Sequence, residues 1–441
     1  MDNKWLFLFI VHAGNKYMRT EATKLLDDIN SIKKQREHTI LVLLSEKNSL
    51  FDGATIPGVN KHDVVLWNMT GDKELVKNFG DINVGNYGNL KNIFKYVDSN
   101  FKFDRLLMYA SDHGSGFGIF AEDPDDTSFF QFVNLKNIFG KANPPLIKDD
   151  SAEKFKEVKD DPNDPQRVYT ISKSIETDAL TGNELNKAIK DGFGGKPVNV
   201  LLIMSCFMQL YDTGYALKEN VKYLVAAETV NIIIGYNYTA IINAIFDDPS
   251  ITDEHVARLS TLTLEDYFKN KGFEKYLKEV VISVLDLKAS SHLKTRIDAI
   301  ANQLIEIFDD AKDKIIICRK ECIDLSTNWG GYTSDFGKRN YIDINKFIQL
   351  LFASGLISRE NFEHFNDACK QYIVERYVGG NYQHQDDPST YKAFGISIFL
   401  PKNKSDFGKD SYYDTFYADE SKTQTLFAKE SKWKNFIDSL K

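Results

Sequence analysis

Short continuous apolar runs alternate with amphipathic segments along the first half of this 441-residue chain. Such runs, too short for buried helices, are typical of strands that are buried on both faces of a sheet. They occur at residues 5–11, 38–44, 63–67, 104–110, 198–204 and 221–227. Apolar residues at helical spacing predict helices between them, at residues 20–32, 90–97, 181–189 and 207–220. This alternation predicts an α/β fold with a mostly parallel central sheet and helices on both faces.

The alternation ends near residue 250, which suggests a division of the chain. We predict an α/β domain over residues 1–250 and a mainly helical C-terminal region over residues 251–441. A late apolar strand at 393–400 is free to rejoin the core of the first domain. Residues 122–178 are polar and contain several prolines, so we interpret them as an insertion at the surface.

Composition and charge exclude several classes of protein. Lys and Arg number 55 and Asp and Glu 63, so the net charge of −8 argues against nucleic acid as a partner. No segment has the roughly 18 apolar residues of a membrane span. Four cysteines are too few for a disulfide scaffold. The oligomeric state is not determined by these features.

The N-terminus gives little information about the compartment. Residues 5–11 follow only four polar or initiating residues and no small-residue cleavage site follows them, so no signal peptide is visible. The protein is secreted if a signal has been removed, and otherwise cytoplasmic. His12, just after the first strand, is assigned a structural or rim role.

Two of the predicted strands end in reactive residues. His113 and Gly114 follow the strand at 104–110, and Cys206 follows the strand at 198–204, ahead of a predicted helix. Carboxyl ends of parallel strands share one edge of a sheet, so the histidine and the cysteine are expected to meet there. A helix N-terminus would stabilise a thiolate, and a histidine could move its proton. The N–H groups of Gly114 and Cys206 are candidates for an oxyanion hole.

Four stretches of sequence resemble one family. They are His-Gly-Ser-Gly at 113–116, Ser-Cys-Phe-Met at 205–208, Gly-Ile-Ser-Ile-Phe-Leu-Pro at 395–401, and Trp433 with Phe436. In this order they resemble the clostripain family of cysteine peptidases, in the clan of caspases, legumains and gingipains. The resemblance implies a caspase-like three-layer α/β sandwich that hydrolyses peptide or protein substrates through a thioester. It implies that His113 is the general acid and base and Cys206 the nucleophile. It also implies a zymogen processed within 122–178.

The resemblance fails at the substrate pocket. The family has acids that hold a basic P1 side chain at the positions of Met204 and Ile234. Strand alternation predicts that Met204 and Cys206 face the same way. Burying Arg or Lys against two apolar side chains is costly, so we expect an uncharged P1 residue. Ser205 and Glu228 complete the predicted substrate-binding set, and Glu228 is the alternative source of a countercharge.

The sequence leaves other functions open. The loss of both pocket acids keeps an inactive binding module with the caspase fold as the main alternative, and a transferase or ligase is a weaker one. No cofactor or metal ligand is assigned, because Cys318 and Cys322 lack two further soft ligands. Calcium dependence occurs in the family, but the acidic loops at 123–126 and 247–248 show no ordered ligand spacing.

Overall fold

The structure is a computed structural model. It describes residues 4–12, 16–32, 38–45, 58–60, 63–112, 114–119, 180–229, 231, 235–325, 328–329, 332–333, 340–383, 392–408, 411–419, 421 and 423–441. The strands are β1 (Trp5–His12), β2 (Thr39–Ser45), β3 (Val65–Asn68), β4 (Glu74–Asn78), β5 (Arg105–Ser111), β6 (Gly118–Ile119), β7 (Leu180–Thr181), β8 (Val198–Met204), β9 (Val221–Ala227), β10 (Val281–Asp286), β11 (Asn328–Trp329), β12 (Tyr332–Thr333), β13 (Tyr341–Asp343), β14 (Ile373–Val378) and β15 (Ser397–Phe399).

The α-helices are α1 (Lys16–Ser31), α2 (Tyr87–Asn100), α3 (Gly182–Gly192), α4 (Tyr211–Leu217), α5 (Tyr238–Asp247), α6 (Asp253–Leu262), α7 (Leu264–Asn270), α8 (Ser290–Glu306), α9 (Phe308–Glu321), α10 (Ile344–Ala353), α11 (Arg359–Tyr372), α12 (Tyr412–Phe416), α13 (Leu426–Glu430) and α14 (Lys432–Ser439). In the part of the chain that the structure describes, no helix combines the length and the apolar character needed to span a membrane.

The large sheet has the strand order β14-β10-β9-β8-β5-β1-β2-β3-β4. Its centre, from β9 to β2, is parallel, whereas β3, β4, β10 and β14 pair antiparallel at the two sides. The central strands are mostly apolar because helices cover both of their faces. The predicted mostly parallel sheet is therefore confirmed.

Alternate residues of β1 enter two different cores. Leu6, Leu8 and Ile10 belong to a cluster that contains residues of α2 and α3. Trp5 and Phe7 belong to a second cluster, which contains residues of α1 and α5. Since side chains of a strand point alternately to opposite faces, helices lie on both sides of the sheet. The fold is therefore the predicted three-layer sandwich.

Two strands in the predicted helical region extend this sheet. β10 pairs with β9, and β14 pairs with β10. The prediction of a mainly helical region over 251–441 missed both strands. The predicted late strand is shorter than expected, covering only Ser397–Phe399, and it pairs with β13 outside the large sheet. A bridge between Ser397 and Leu210 nevertheless brings it to the turn after β8.

The flanks of the predicted insertion lie side by side. Residues 120–179, which include all of it, lie outside the described residues. Ile119 pairs with Leu180, and Gly118 pairs with Thr181, in the two-stranded β6–β7 sheet. Thr181 then caps α3 through a capping box, as the predicted helix start requires.

Candidate active site

The carboxyl ends of β5 and β8 bring the two reactive motifs together. The strands are parallel neighbours, and Ser111 at the end of β5 lies opposite Met204 at the end of β8. In the turns that follow, Ser205 Oγ donates a 2.6 Å hydrogen bond to the carbonyl oxygen of Asp112. This buried bond joins the turn after β5 to the turn after β8.

Gly114 packs against the backbone of the predicted nucleophile. A Cβ atom at this position would lie 2.6 Å from the carbonyl oxygen of Cys206 and 2.7 Å from Cβ of Ser205, closer than real Cβ contacts. Glycine is therefore needed for this close approach. His113 lies outside the described residues, but both of its neighbours in the chain, Asp112 and Gly114, contact Ser205 or Cys206.

The thiol of Cys206 differs from the other thiols in its exposure. Cys206 is half-buried, whereas Cys318, Cys322 and Cys369 are buried. Its Sγ accepts a hydrogen bond of 3.4 Å from the backbone N–H of Asn231. An N–H donor stabilises negative charge that develops on sulfur. A reachable sulfur with such a donor suits a nucleophile.

Cys206 does not lie at the start of a helix, so that prediction is wrong. The helix predicted at 207–220 begins only at Tyr211. Phe207, in the intervening turn, has a φ of 62°, which costs a bulky residue about 1–3 kcal/mol. Its N–H donates to the carbonyl oxygen of Thr229 at 3.0 Å, so contacts with the end of β9 maintain the turn. This turn, rather than a helix dipole, presents the thiol.

Met204 is buried in the second core cluster. That cluster also contains Tyr236 and Tyr238, whereas Cys206 packs against the cluster on the other face of the sheet. The expectation that Met204 and Cys206 face the same way is therefore wrong. The reason is that β8 ends at Met204, so the alternation of a strand does not continue to Cys206. Ile234 lies outside the described residues.

Glu228 follows β9 and is fully buried. Its carboxyl accepts a hydrogen bond of 2.8 Å from the N–H of Gly395, and Asp343 accepts one from the N–H of Phe394. Burial, followed by the charge of Asp343, raises the pKa of Glu228 well above its usual value. Burial also raises the pKa of Asp343 to about 6. The two carboxyl groups connect the segment before β15 to the end of β9.

A buried pair beside the predicted site was not recognised from the sequence. Nδ1 of His12 lies 2.7 Å from Oδ2 of Asp112. The parallel register places Val11 opposite Ser111, so the next residue on each strand can meet its counterpart. The available signal was that both residues are polar and directly follow apolar runs. Asn231 was also missed, because nothing in its local sequence marks it.

No metal ligands are predicted from the sequence, although the chain has acidic loops at 123–126 and 247–248. Among the residues that the structure describes, no three His, Cys, Asp or Glu side chains are grouped so that they could hold a metal ion. The acidic loop at 123–126 lies outside those residues.

Comparison with known proteins relates this geometry to one family. The model of the clostripain family matches residues 156–440, a stretch that includes Cys206 and begins after His113. No curated protein matches the chain significantly in sequence.

Solved structures with a similar fold include two proteases. An inactive zymogen C11 protease from Parabacteroides distasonis has 12% identity, covers 91% of this chain and 92% of its own, and gives a TM-score of 0.55. A secreted C11 cysteine protease from Bacteroides thetaiotaomicron, in complex with an irreversible peptide inhibitor, has 14% identity, 99% coverage of both chains and a TM-score of 0.56. At these identities the comparison shows a shared fold.

Proposed function

The chain belongs to the clostripain family of cysteine peptidases, and on this premise we propose that Cys206 is its nucleophile and His113 its general acid and base. One observation supports the pairing most directly. Asp112 and Gly114, on either side of His113, contact Ser205 and Cys206 respectively. The pairing is supported because His113 is the residue between these two neighbours in the sequence.

The chemistry of this pair is acyl transfer to sulfur and then to water. Sγ of Cys206 attacks the carbonyl carbon of the scissile bond, and a C–S bond forms as the C–N bond breaks. His113 takes the thiol proton and gives it to the leaving amine. Water then attacks the thioester, transfers a proton through His113, and releases the acid and the thiol. The backbone N–H groups of Gly114 and Cys206 are our candidates for stabilising the oxyanion.

We propose that the P1 residue is uncharged and apolar. Met204 replaces the family's acid and belongs to a buried cluster with Tyr236 and Tyr238. Glu228 is buried and bonded to Gly395, so its carboxyl is unsuited to pair with a substrate cation. Placing an unpaired Lys or Arg in such surroundings costs about 3 kcal/mol or more, which corresponds to about a hundredfold in kcat/KM.

Profiling of a mixed peptide library tests the nucleophile. The wild-type chain should cleave, Cys206→Ala should not, and Cys322→Ala should cleave like the wild type. Cys322 is a matched control because it is buried and burial raises its pKa to about 12. Cleavage that survives Cys206→Ala would contradict the proposal. Peptide binding without cleavage by the wild type would favour an inactive binding module.

Paired peptides that differ only at P1 test the specificity. With P1 Leu against P1 Lys, kcat/KM should be higher for Leu by about a hundredfold or more. Met204→Asp should raise kcat/KM for the Lys peptide, whereas the size-matched Met204→Leu should not. No rise with Met204→Asp would show that Met204, which packs on the other face of the sheet from Cys206, does not reach the P1 side chain. A wild-type preference for Lys or Arg would refute this part of the proposal.

We further propose that activation involves a cut within residues 122–178. The similar structures include a protease described as an inactive zymogen. Mass spectrometry of active material should find two fragments, and full activity of a preparation that keeps the intact mass of 50.4 kDa would contradict processing.

A further inference from the structure

His12 and Asp112 form a buried polar pair at the carboxyl edge of the sheet. His12 is 8% exposed and Asp112 is 2% exposed. Nδ1 of His12 lies 2.7 Å from the Asp112 carboxylate, the distance of a charge-assisted hydrogen bond. A carboxylate oxygen accepts, so Nδ1–H is the donor.

Asp112 connects three neighbouring strands. Asp112 directly follows β5 in the chain. Its side chain accepts a hydrogen bond from His12 at the end of β1, and its carbonyl oxygen accepts one from Ser205 after β8. Two residues later, Gly114 lies against the carbonyl oxygen of Cys206. The position of the turn after β5 relative to the thiol therefore depends on contacts made by Asp112.

We infer that His12 is a positioning residue for the peptidase reaction. It holds the Asp112 carboxylate and, through it, the turn in which Gly114 lies against Cys206. This inference rests on the proposed function. In this role His12 acts through Asp112 and takes no direct part in the bond-making and bond-breaking steps.

Stability alone does not explain why a histidine and an aspartate, rather than two apolar residues, occupy these buried positions. Replacing a buried ion pair with apolar residues often leaves stability unchanged or improves it. The strands beside His12 bury apolar side chains along nearly their whole length. A directional hydrogen bond, unlike an apolar contact, fixes the orientation of its partner. Since a shift of about 1 Å in a catalytic group can cost a hundredfold in rate, such orientation matters at this edge.

His38, which directly precedes β2, offers a matched control beside the amino end of β1. It is 2% exposed, and its Nδ1 accepts a hydrogen bond of 3.2 Å from the backbone N–H of Trp5. Its ring stacks on Phe246 with centroids 5.1 Å apart. It thus matches His12 in residue type, burial and strand contact, but lies at the amino end of β1.

The experiment compares His12→Leu, His12→Asn and His38→Asn with the wild type. Steady-state kinetics on a P1 Leu peptide are combined with thermal unfolding, so that activity is measured well below each Tm. His12→Leu should lower kcat about tenfold to a hundredfold and change KM by less than about threefold. His12→Asn should recover most of kcat, because its amide can donate from near the position of Nδ1. His38→Asn should lower Tm but leave kcat unchanged.

The outcomes separate this inference from the proposed function. If the wild type cleaves and His12→Leu keeps kcat within twofold, the inference is wrong and the peptidase assignment stands. The inference is also wrong if kcat falls as much in His12→Asn as in His12→Leu. It is likewise wrong if kcat falls as much in His38→Asn as in the His12 variants. If the wild type and Cys206→Ala are equally inactive, the proposed function fails and the inference fails with it.

Discussion

Replacing Gly114 with alanine adds one methyl group at the closest contact of the candidate site. The new Cβ would lie 2.6 Å from the carbonyl oxygen of Cys206, 2.7 Å from Cβ of Ser205 and 3.0 Å from Cγ of Met208. Ordinary contacts begin at 3.4 Å, so the turn after β5 must move by about 0.8 Å. Met208 can adjust its side chain, but the Cys206 contact is backbone.

This displacement sets the expected magnitudes. Overpacking of a well-packed interior costs about 1–3 kcal/mol, so the free energy of unfolding should fall by that amount. A movement approaching 1 Å between Gly114 and Cys206 should lower kcat by about a hundredfold. The loss of activity should therefore exceed what the loss of stability explains, since a stable enzyme remains folded after losing about 2 kcal/mol.

Urea unfolding and peptide hydrolysis measure the two effects side by side. Gly71→Ala is the control, because a Cβ at Gly71 meets nothing within 4 Å and its φ is not in the left-handed region. That control should change neither kcat nor stability by a measurable amount. If Gly114→Ala keeps kcat within about threefold of the wild type, the packing of Gly114 against Cys206 does not position the reacting groups.

Two further predictions concern buried carboxyl groups. Burial raises the pKa of Asp212 to about 7. An Asp carboxyl in an unfolded chain has a pKa of about 4, so the free energy of unfolding is highest below that pH and falls as pH rises from about 4 to about 7. Asp212→Asn should therefore gain stability relative to the wild type between pH 5 and pH 8, by about 3 kcal/mol, and a pH-independent difference in urea unfolding would contradict this. Burial and the charge of Asp343 raise the pKa of Glu228 in the same direction. The Tm of Glu228→Gln should match that of the wild type at pH 5 and exceed it at pH 8. A Tm that is lower than the wild-type value by the same amount at both pH values would show that the carboxyl is ionised throughout.

The central strands were predictable because their environment is uniform. β8 and β9 have the predicted bounds, since β8 is buried along its whole length and β9 is buried from Leu224 onward. β14 was missed because its residues are half-buried and include Glu375 and Arg376, which hide any apolar run. β10 was missed because its apolar run, interrupted by Ser283, lies between helical segments and was included with them.

The candidate site was predictable in its location but not in its details. The edge shared by β5 and β8 follows from parallel strands, and both reactive motifs are next to it. The turn after Met204 depends on Phe207, whose left-handed backbone is stabilised by a bond to Thr229. The pair of His12 and Asp112 depends on the register between β1 and β5. Such contacts join residues far apart in the chain, and no local pattern reports them.

The pairing of Ile119 with Leu180 has a consequence for how the protein could be assembled. A single break between them would leave His113, the proposed general acid and base, on one polypeptide and Cys206, the proposed nucleophile, on the other. On that proposal neither piece alone could catalyse. β5 of the first piece still pairs with β8 of the second, in the middle of the large sheet. The two halves should therefore complement each other when co-expressed as separate chains.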